Sequence, residues 1–258
     1  MDKQYTIEDL LDILVQLRGE NGCPWDKVQT HESLKKNMIE ETYEAIDALD
    51  QGNDAMFCNE LGDVLLQVAF HAVIAKERGA FDFNDILYEI CTKLISRHTH
   101  VFGAEKAASA EEALATWEKN KKKEKKQSTL TEAMEDVPKG LPALMRAEKV
   151  QKKAASAGFD WEDAAGVLEK VAEEAREVSE VTMDAERCEE EFGDLLFVLV
   201  NLGRHLKVTP ETALAKATNK FVRRFSEMEA LATAQNKVFS ELSASEMDDL
   251  WKKVKQKS

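Results

Sequence analysis

Two acidic motifs recur at matching spacing in the two halves of the 258-residue chain. Each half carries E-E-x-x-E and then, after a gap of 15 or 13 residues, E-x-x-D followed at once by an apolar run. Residues three or four positions apart share one face of a helix, so two such helices packed antiparallel would bring four carboxylates together. The acidic residues of these motifs are Glu41, Glu44, Glu60 and Asp63 in the first half and Glu174, Glu177, Glu191 and Asp194 in the second.

Four crowded carboxylates repel one another, and a bound divalent cation removes that penalty. Ligation by oxygen alone, without His or Cys, favours Mg²⁺ or Mn²⁺ over zinc. A single E-E-x-x-E motif is more often a solvated helix face. Because the same pair of motifs occurs twice, each time beside an apolar run, the sequence predicts a metal site in each half.

A pair of cations one helical turn apart follows each acidic set, as Lys93 with Arg97 and as Lys220 with Arg224. Cations opposite a metal–carboxylate cluster suit the phosphates of a nucleotide. Spacing alone fits a solubilising surface equally well, and the repeat favours the phosphate role. The sequence has neither a P-loop nor a G-x-G-x-x-G motif.

The elements that must position these residues are helices. Apolar residues recur at helical spacing along nearly the whole chain, with only four prolines and eleven glycines, so we predict an all-α fold. Capping-box spacing marks helix starts at Thr6, Ser109, Thr129 and Ser243, and Pro210 fits a first helical position. The predicted helices cover about 7–18, 33–50, 55–78, 84–98, 110–124, 141–156, 164–182, 185–206, 210–232 and 243–256.

Apolar residues beside the acidic motifs are expected to dock the two acidic helices of the first half onto each other. These residues are Ile39, Tyr43, Ile46 and Leu49 on one helix and Leu61, Val64, Leu65 and Val68 on the next.

A lysine-rich run, Lys119 to Lys126, and a segment rich in proline and glycine separate the two halves. We expect a helical domain over 1–127, a linker over 128–142 and a second helical domain over 143–258. The run contains Glu124 and no interleaved aromatic residue, which favours a solvated helix end over a nucleic-acid patch.

The composition indicates which binding partners and which cellular compartment the protein has. The chain has 49 Asp and Glu against 35 Lys and Arg, a formal net charge of −14, which disfavours nucleic acid and anionic membranes. Four scattered cysteines without a C-x-x-C pair indicate reduced thiols. The longest apolar stretches are interrupted by Gln67, His71 and Asn201, so we expect a cytoplasmic protein without a membrane-spanning segment.

Aromatic residues precede both acidic helices, as Trp25 in CPWD and Trp161 in GFDW. Either indole could stack on a base, but a role in a core or a turn is the preferred interpretation. The five histidines form no ligand-spaced cluster shared by both halves, and we interpret them as structural or surface residues.

With these motifs the sequence resembles the MazG nucleoside triphosphate pyrophosphohydrolases in their two-domain bacterial form. The resemblance covers nearly the whole chain, through CPWD, EETYEAIDAL, ELGDVLLQV, RHTHVF, LPALMRA, GFDW, EEEFGDLLF and NKFVRRF. It implies a tandem repeat of two helical units, with catalytic cores of four-helix-bundle type completed on homodimerisation.

The same resemblance implies Mg²⁺-dependent hydrolysis of nucleoside triphosphates between the α and β phosphates, giving a nucleoside monophosphate and pyrophosphate in nucleotide-pool housekeeping. The second half is implied to be catalytic, with metal ligands Glu174, Glu177, Glu191 and Asp194. Implied substrate contacts are Lys170, Glu173, Trp161, Lys220 and Arg224, with Lys93 and Arg97 as their equivalents in the first half.

Two alternatives to this function stay open from the sequence. The chain could be a non-catalytic acidic helical scaffold or a metal-binding regulatory protein. The second alternative is that only the first half has become a regulatory or dimerising module. Base preference, the physiological nucleotide and the number of metal ions are not encoded in any motif that we find.

Overall fold

A computed structural model of the chain describes residues 4–125 and 129–256 and divides it into two compact units, Met1–Lys125 and Lys126–Ser258. Every regular element in the described ranges is helical, which confirms the predicted all-α fold. The long helices begin and end within about three residues of the predicted bounds, as expected for boundaries read from periodicity.

The first unit is built around a two-helix hairpin with further helices packed on one member of it. Its helices are α1 (Ile7–Arg18), α2 (Pro24–Lys27), α3 (Lys35–Asp50), α4 (Asp54–Glu77), α5 (Phe83–Arg97), α6 (Thr99–Phe102) and α7 (Ala110–Glu124). Helices α3 and α4 form the hairpin, α1 and α5 pack on α4, and α7 packs on α5 and α6.

The core of the first unit lies where α1 and the C-terminal half of α4 meet. Leu14, Leu34, Phe70 and Val73 are buried there. Arg18, at the end of α1, holds this region together, because its guanidinium pairs with Glu77 and donates hydrogen bonds to the backbone carbonyls of Asp26 in α2 and of Gln29. The C-terminal half of α4 is therefore held in place by the core, and its N-terminal half carries the acidic residues.

The second unit repeats the hairpin. Its helices are α8 (Leu130–Glu135), α9 (Ala143–Ala155), α10 (Ala164–Glu180), α11 (Ala185–His205), α12 (Pro210–Ala234) and α13 (Ala244–Lys255), with a 3-10 turn at Phe239–Glu241. Helices α10 and α11 form the hairpin, α9 packs on α11, and α12 packs on α9, α11 and α13. The core cluster joins α12 to α13 through Met228, Ala232, Leu250 and Val254.

The predicted helix starts are confirmed. Thr6, Thr129 and Ser243 form reciprocal capping boxes, and Ser109 accepts a hydrogen bond from the backbone of Glu112. The predicted helix ranges lack the four-residue α2 and α6 and also the six-residue α8, of which only the start at Thr129 was predicted. Such segments span fewer than two turns, so they contain too few apolar positions to display a helical period.

The segment expected to be a linker, 128–142, contains α8 in its described part. Ala133 and Val137 are buried, and α8 packs against α9 of the second unit. Lys126, the end of the lysine run, and residues 127–128, where the domain boundary was placed, lie outside the described residues.

The expected docking of α3 onto α4 through large apolar residues is wrong. Ile39 is 58% exposed and Tyr43 49% exposed, and Ile46 and Leu49 are also exposed. The hairpin closes instead through small residues, because Ala45 and Ala48 are the buried residues of α3. Helix α4 is the one helix that α3 contacts among the described residues, so the large apolar stripe of α3 faces away from its own unit.

Helix α4 is also the one helix within the described ranges that is long and apolar enough to cross a membrane by length and composition. Its mean hydropathy is 1.3 over 18 residues, and a third of that window is buried in the protein. Core helices of globular proteins meet the same criterion, so the absence of a membrane-spanning segment stays a prediction.

Two histidines that the sequence placed in no cluster form a stacked pair. The rings of His31, before α3, and His71, on α4, lie 5.0 Å apart and are nearly parallel. Their Nδ1 atoms are 2.8 Å apart, a distance that suits one donor and one acceptor. Burial and then the charge of His31 lower the pKa of His71, while Glu32 opposes this shift.

Because the folded-state pKa of His71 is lowered, the contact stabilises the protein above the ordinary histidine pKa of about 6.5 and is lost as the pH falls through the folded value. We expect calorimetry on the full chain to show Tm falling between about pH 7.5 and 5.5. The His71→Gln variant should show a smaller fall, with His205→Gln as the matched control. An unchanged slope in His71→Gln would contradict this assignment.

Candidate active site

The hairpin of the second unit brings three predicted metal ligands together. Glu174 projects from α10, and Glu191 and Asp194 project from one turn of α11. One carboxylate oxygen of each residue lies within 4.8 Å of those of the other two. This spacing allows a single cation to contact all three side chains.

Glu174 is the buried member of this triad. Its side chain is 6% exposed, and one oxygen lies 2.7 Å from the ammonium of Lys170, which also pairs with Glu173 at 3.0 Å. Hydrogen bonds to Glu174 and then Glu173 raise the pKa of Lys170. The other oxygen of Glu174, Oε2, is buried and has no hydrogen-bond partner. A buried anionic oxygen without a donor is costly unless a cation contacts it, so the site fits a hard divalent ion.

Glu177, the fourth predicted ligand, follows one turn after Glu174 and lies outside the 4.8 Å triad. Its pKa is raised by burial and then by the charge of Glu174, with smaller contributions from Glu191 and Glu173. Lys170 opposes the shift but does not cancel it. The local field is therefore negative even with the internal ammonium in place.

The first unit carries an equivalent triad of Glu41 on α3 with Glu60 and Asp63 on α4, all partly buried. Burial and then the charges of Asp63, Glu44 and Glu60 raise the pKa of Glu41. Glu44 is exposed and lies outside the triad. Asn37 occupies the position equivalent to Lys170, so this triad lacks the internal ammonium of the second unit.

The predicted phosphate contacts of the second unit lie on α12, which reaches the acidic hairpin through α11. Lys220 is exposed. The guanidinium of Arg224 lies over the ring of Trp251 on α13, 5.9 Å from its centroid. This cation–π contact gives the guanidinium a fixed apolar support.

The sequence analysis gave no role to Trp251 and its equivalent Trp117, which lie under the arginines of the predicted cation pairs. In the first unit Arg97 lies over Trp117 at 5.5 Å, so both units place the arginine of the predicted pair on an indole. A signal was present, because each tryptophan follows a capping serine by eight residues, Ser109 in one unit and Ser243 in the other. The repeat therefore extends beyond the acidic motifs to the last helix of each unit.

Of the preferred roles in a core or a turn, the core is wrong for Trp161, which is 38% exposed, and for Trp25, which is also exposed. Trp161 lies in the loop before α10, where a turn role stays a prediction. Its indole packs against Gly166, where a Cβ atom would lie 2.9 Å from the ring. Asp160 holds the loop to the end of α11, because it accepts hydrogen bonds from Arg204 and the Trp161 backbone.

The position of Trp161 relates it to the acidic site. Gly166, Lys170 and Glu174 are spaced by single helical turns along one face of α10. At 1.5 Å per residue, the indole contact lies about 12 Å along the helix from the buried carboxylate. This separation is comparable with the extent of a nucleotide.

The fold and its sites define a duplicated all-α protein with one carboxylate triad in each hairpin. A family model described as the MazG nucleotide pyrophosphohydrolase domain matches residues 29–102 and 156–228, which together include both triads. The chain belongs to this family and carries its domain twice. The predicted resemblance, the tandem repeat and the assignment to a class of hydrolase enzymes are thereby confirmed.

Individual relatives match along nearly the whole chain. A nucleoside triphosphate pyrophosphohydrolase/pyrophosphatase MazG of Thermotoga maritima is 49% identical over 248 residues, 96% of this chain and 95% of the relative. A nucleoside triphosphate pyrophosphohydrolase of Escherichia coli K12 is 45% identical over 254 residues, 96% and 97% of the two chains. An uncharacterised Bacillus subtilis protein, YabN, is 46% identical over 95% of this chain and 50% of its own length.

If both triads hold a divalent cation, Mg²⁺ or Mn²⁺ should raise the Tm of the full chain. Each occupied site should add about 2–3 kcal/mol to the free energy of unfolding at a hundredfold excess of free cation over its Kd. Glu174→Gln and Glu41→Gln should each remove part of this gain, whereas Glu180→Gln, an exposed carboxylate on the same helix as Glu174, should keep all of it. Equal cation stabilisation in all four proteins, measured by calorimetry, would place the metal elsewhere.

Proposed function

We propose that the chain hydrolyses nucleoside triphosphates at the α–β phosphoanhydride, releasing a nucleoside monophosphate and pyrophosphate, with Mg²⁺ as its metal and Mn²⁺ as a substitute. The observation that carries this proposal is the buried, unpartnered oxygen of Glu174 beside Glu191 and Asp194. The printed names of the Thermotoga and Escherichia coli relatives support the activity, since both are nucleoside triphosphate pyrophosphohydrolases.

In the second unit Glu174, Glu191 and Asp194 would hold the cation, with Glu177 as a fourth ligand. A divalent cation in such a site polarises phosphate oxygens and lowers the pKa of bound water. Lys170 orients Glu174 through a 2.7 Å contact. The protein thus presents a preformed anionic pocket to a cationic partner rather than assembling it on binding.

The triphosphate itself needs cations from the protein. Lys220 and Arg224 would stabilise the charge that develops on the pyrophosphate leaving group. The ring of Trp251 supports Arg224 and reduces the conformational freedom that the guanidinium would lose on binding. Trp161 would receive the base end of the nucleotide, because its indole lies on the Lys170 face of α10.

The composition supports a single-nucleotide substrate and a cytoplasmic location for this activity. The net charge of −14 disfavours polymeric nucleic acid as a partner, and a single nucleotide accompanied by Mg²⁺ avoids the same repulsion. All four cysteines are free thiols, two of them exposed, which suits the reducing cytoplasm. We therefore place the enzyme in cytoplasmic nucleotide-pool housekeeping.

Glu174→Gln and Asp194→Asn should each lower kcat/KM by at least about 100-fold, since loss of a ligand exceeds the usual cost of losing an outer partner. Glu180→Gln should retain activity. The measurement is product analysis by ³¹P NMR with Mg²⁺ and a panel of nucleoside triphosphates. Nucleoside diphosphate and orthophosphate as the products would overturn the assignment of the cleaved bond.

A non-catalytic scaffold would be stabilised by the metal without further stabilisation by the nucleotide.

We also propose that the protein is a homodimer in which each hairpin packs against a hairpin of a second copy. Apolar stripes at helical spacing are exposed in both units, on α3 at Ile39, Tyr43 and Ile46 and on α11 at Phe192, Leu196 and Leu199. Leu61 and Leu65 of α4 are the equivalents of Phe192 and Leu196 and are also exposed. Stripes of this kind, repeated in both units, are typical of helix-packing interfaces.

Leu196→Glu should weaken the dimer, because a charge in the stripe leaves a buried carboxylate without a partner. Light scattering coupled to gel filtration should detect a monomer at concentrations where the parent is a dimer. Met183→Glu, in the loop between α10 and α11 and 99% exposed, should leave the mass unchanged. A parent protein that is monomeric at all concentrations would contradict the proposal.

A further inference from the structure

Asp160 connects the loop before α10 to the end of α11. One of its carboxylate oxygens accepts hydrogen bonds from the backbone N–H of Trp161 at 3.0 Å and from the guanidinium of Arg204, and it lies 3.1 Å from Nε2 of His205. The side chains of Asp160, Arg204 and His205 are 22%, 14% and 13% exposed. Because three groups converge on one partly buried oxygen, the carboxylate fixes the loop firmly to α11.

Arg204 is also bound to a residue of its own helix. Its Nη2 atom donates a hydrogen bond to Oδ1 of Asn201 at 3.0 Å, and Asn201 is buried. The hydrogen bond from Arg204 lowers the pKa of Asp160 against the opposing effect of burial, in keeping with a carboxylate that is charged at neutral pH. The charge-assisted contact therefore joins the loop to a packed helix.

Both ends of this loop are fixed by helix caps. Helix α9 ends in a Schellman motif, in which Gly158 has a φ of 85° and the N–H of Phe159 donates to the carbonyl of Ala154 at 3.2 Å. At the other end, the side chain of Asp163 accepts backbone hydrogen bonds from the first turn of α10. Asp160 is thus a third attachment, placed between the two caps.

The indole of Trp161 is the aromatic group that Asp160 places. It lies so close to Gly166 that a Cβ atom there would be 2.9 Å from its Cδ1 atom, while the residue keeps 38% of its surface exposed. An aromatic side chain that is both supported and exposed can stack on any nucleobase, because every base has a π-face. Glu174, the triad member on α10, follows Gly166 by eight residues, so the indole lies away from the metal ligands.

We propose that Asp160 is a positioning residue that sets the affinity of the second unit for the base of its nucleotide, because it holds Trp161 where a base can stack on it. This inference rests on the proposed function, in which Trp161 receives the base end of the nucleotide. A loop that is already ordered loses less conformational freedom when the base binds. Loss of Asp160 therefore weakens binding of the base and leaves the groups that bind the cation and the phosphates unchanged.

The test compares ATP with methyl triphosphate, which has the same phosphate chain and no base. In the full chain with Mg²⁺, Asp160→Ala should raise KM for ATP about tenfold, a typical effect of losing one base stack, and leave kcat within about twofold. Its kcat and KM for methyl triphosphate should match those of the parent, which also shows that the variant is folded. Glu162→Ala removes an exposed carboxylate from the same loop and is the matched control, with both substrates unaffected.

Two further variants test whether Asp160 acts through the indole. Gly166→Ala adds the Cβ atom that would meet the indole and should also raise KM for ATP alone, although alanine favours a helix more than glycine does. Gly140→Ala, where a Cβ atom would meet no neighbour, is its control and should leave KM unchanged. In a Trp161→Ala background, Asp160→Ala should raise KM no further.

An unchanged KM for ATP in Asp160→Ala would overturn the inference, as would equal changes for ATP and methyl triphosphate. Effects of Asp160→Ala and Trp161→Ala that multiply in the double variant would show that Asp160 does not act through the indole. The products that the unmodified chain forms from ATP test the proposed function separately, because the bond that is cleaved does not depend on Asp160.

Discussion

Repulsion among carboxylates held by a two-helix hairpin is the constraint on which both units depend. In the second unit three of them lie within 4.8 Å, and one is almost fully buried. The hairpin tolerates this arrangement because α10 and α11 are long, are capped by Asp163 and Asp184, and pack on each other. Backbone hydrogen bonds and packing fix positions that the charges alone would oppose.

The two units resolve the same repulsion differently. The second supplies Lys170 from the turn before Glu174, so part of the negative charge is compensated inside the helix. The first has Asn37 there, and all three of its acidic residues are partly buried, whereas the second has one buried, one partly buried and one exposed. An internal ammonium beside a buried carboxylate leaves one oxygen satisfied and directs the other toward the remaining carboxylates. Because Glu174 is buried and Lys170 compensates only part of the negative charge, the second hairpin needs a bound cation more than the first does.

Helical periodicity predicted the long helices, and capping chemistry predicted several of their first residues, because both signals are local. Periodicity could not predict whether another helix of the same unit covers an apolar stripe. Ile39 and Tyr43 have the spacing of core residues, yet the hairpin closes on Ala45 and Ala48. Small residues permit close approach of two helices without contributing a strong apolar signal. Trp251 was missed for a related reason, since its partner Arg224 is distant in sequence and the contact depends on how α12 meets α13.

Internal duplication makes the charge differences informative, because each unit serves as the other's reference. The capping serines, the tryptophans eight residues later and the arginines above them recur in both units, so the framework that orients the guanidinium is shared. What differs is the charge near it, because Glu89 in the first unit aligns with Lys216 in the second. Exchanging surface charges costs little folding free energy, whereas rebuilding a packed helix pair costs much more. Charge exchange therefore lets the two copies of a duplicated site differ while the fold of each is retained.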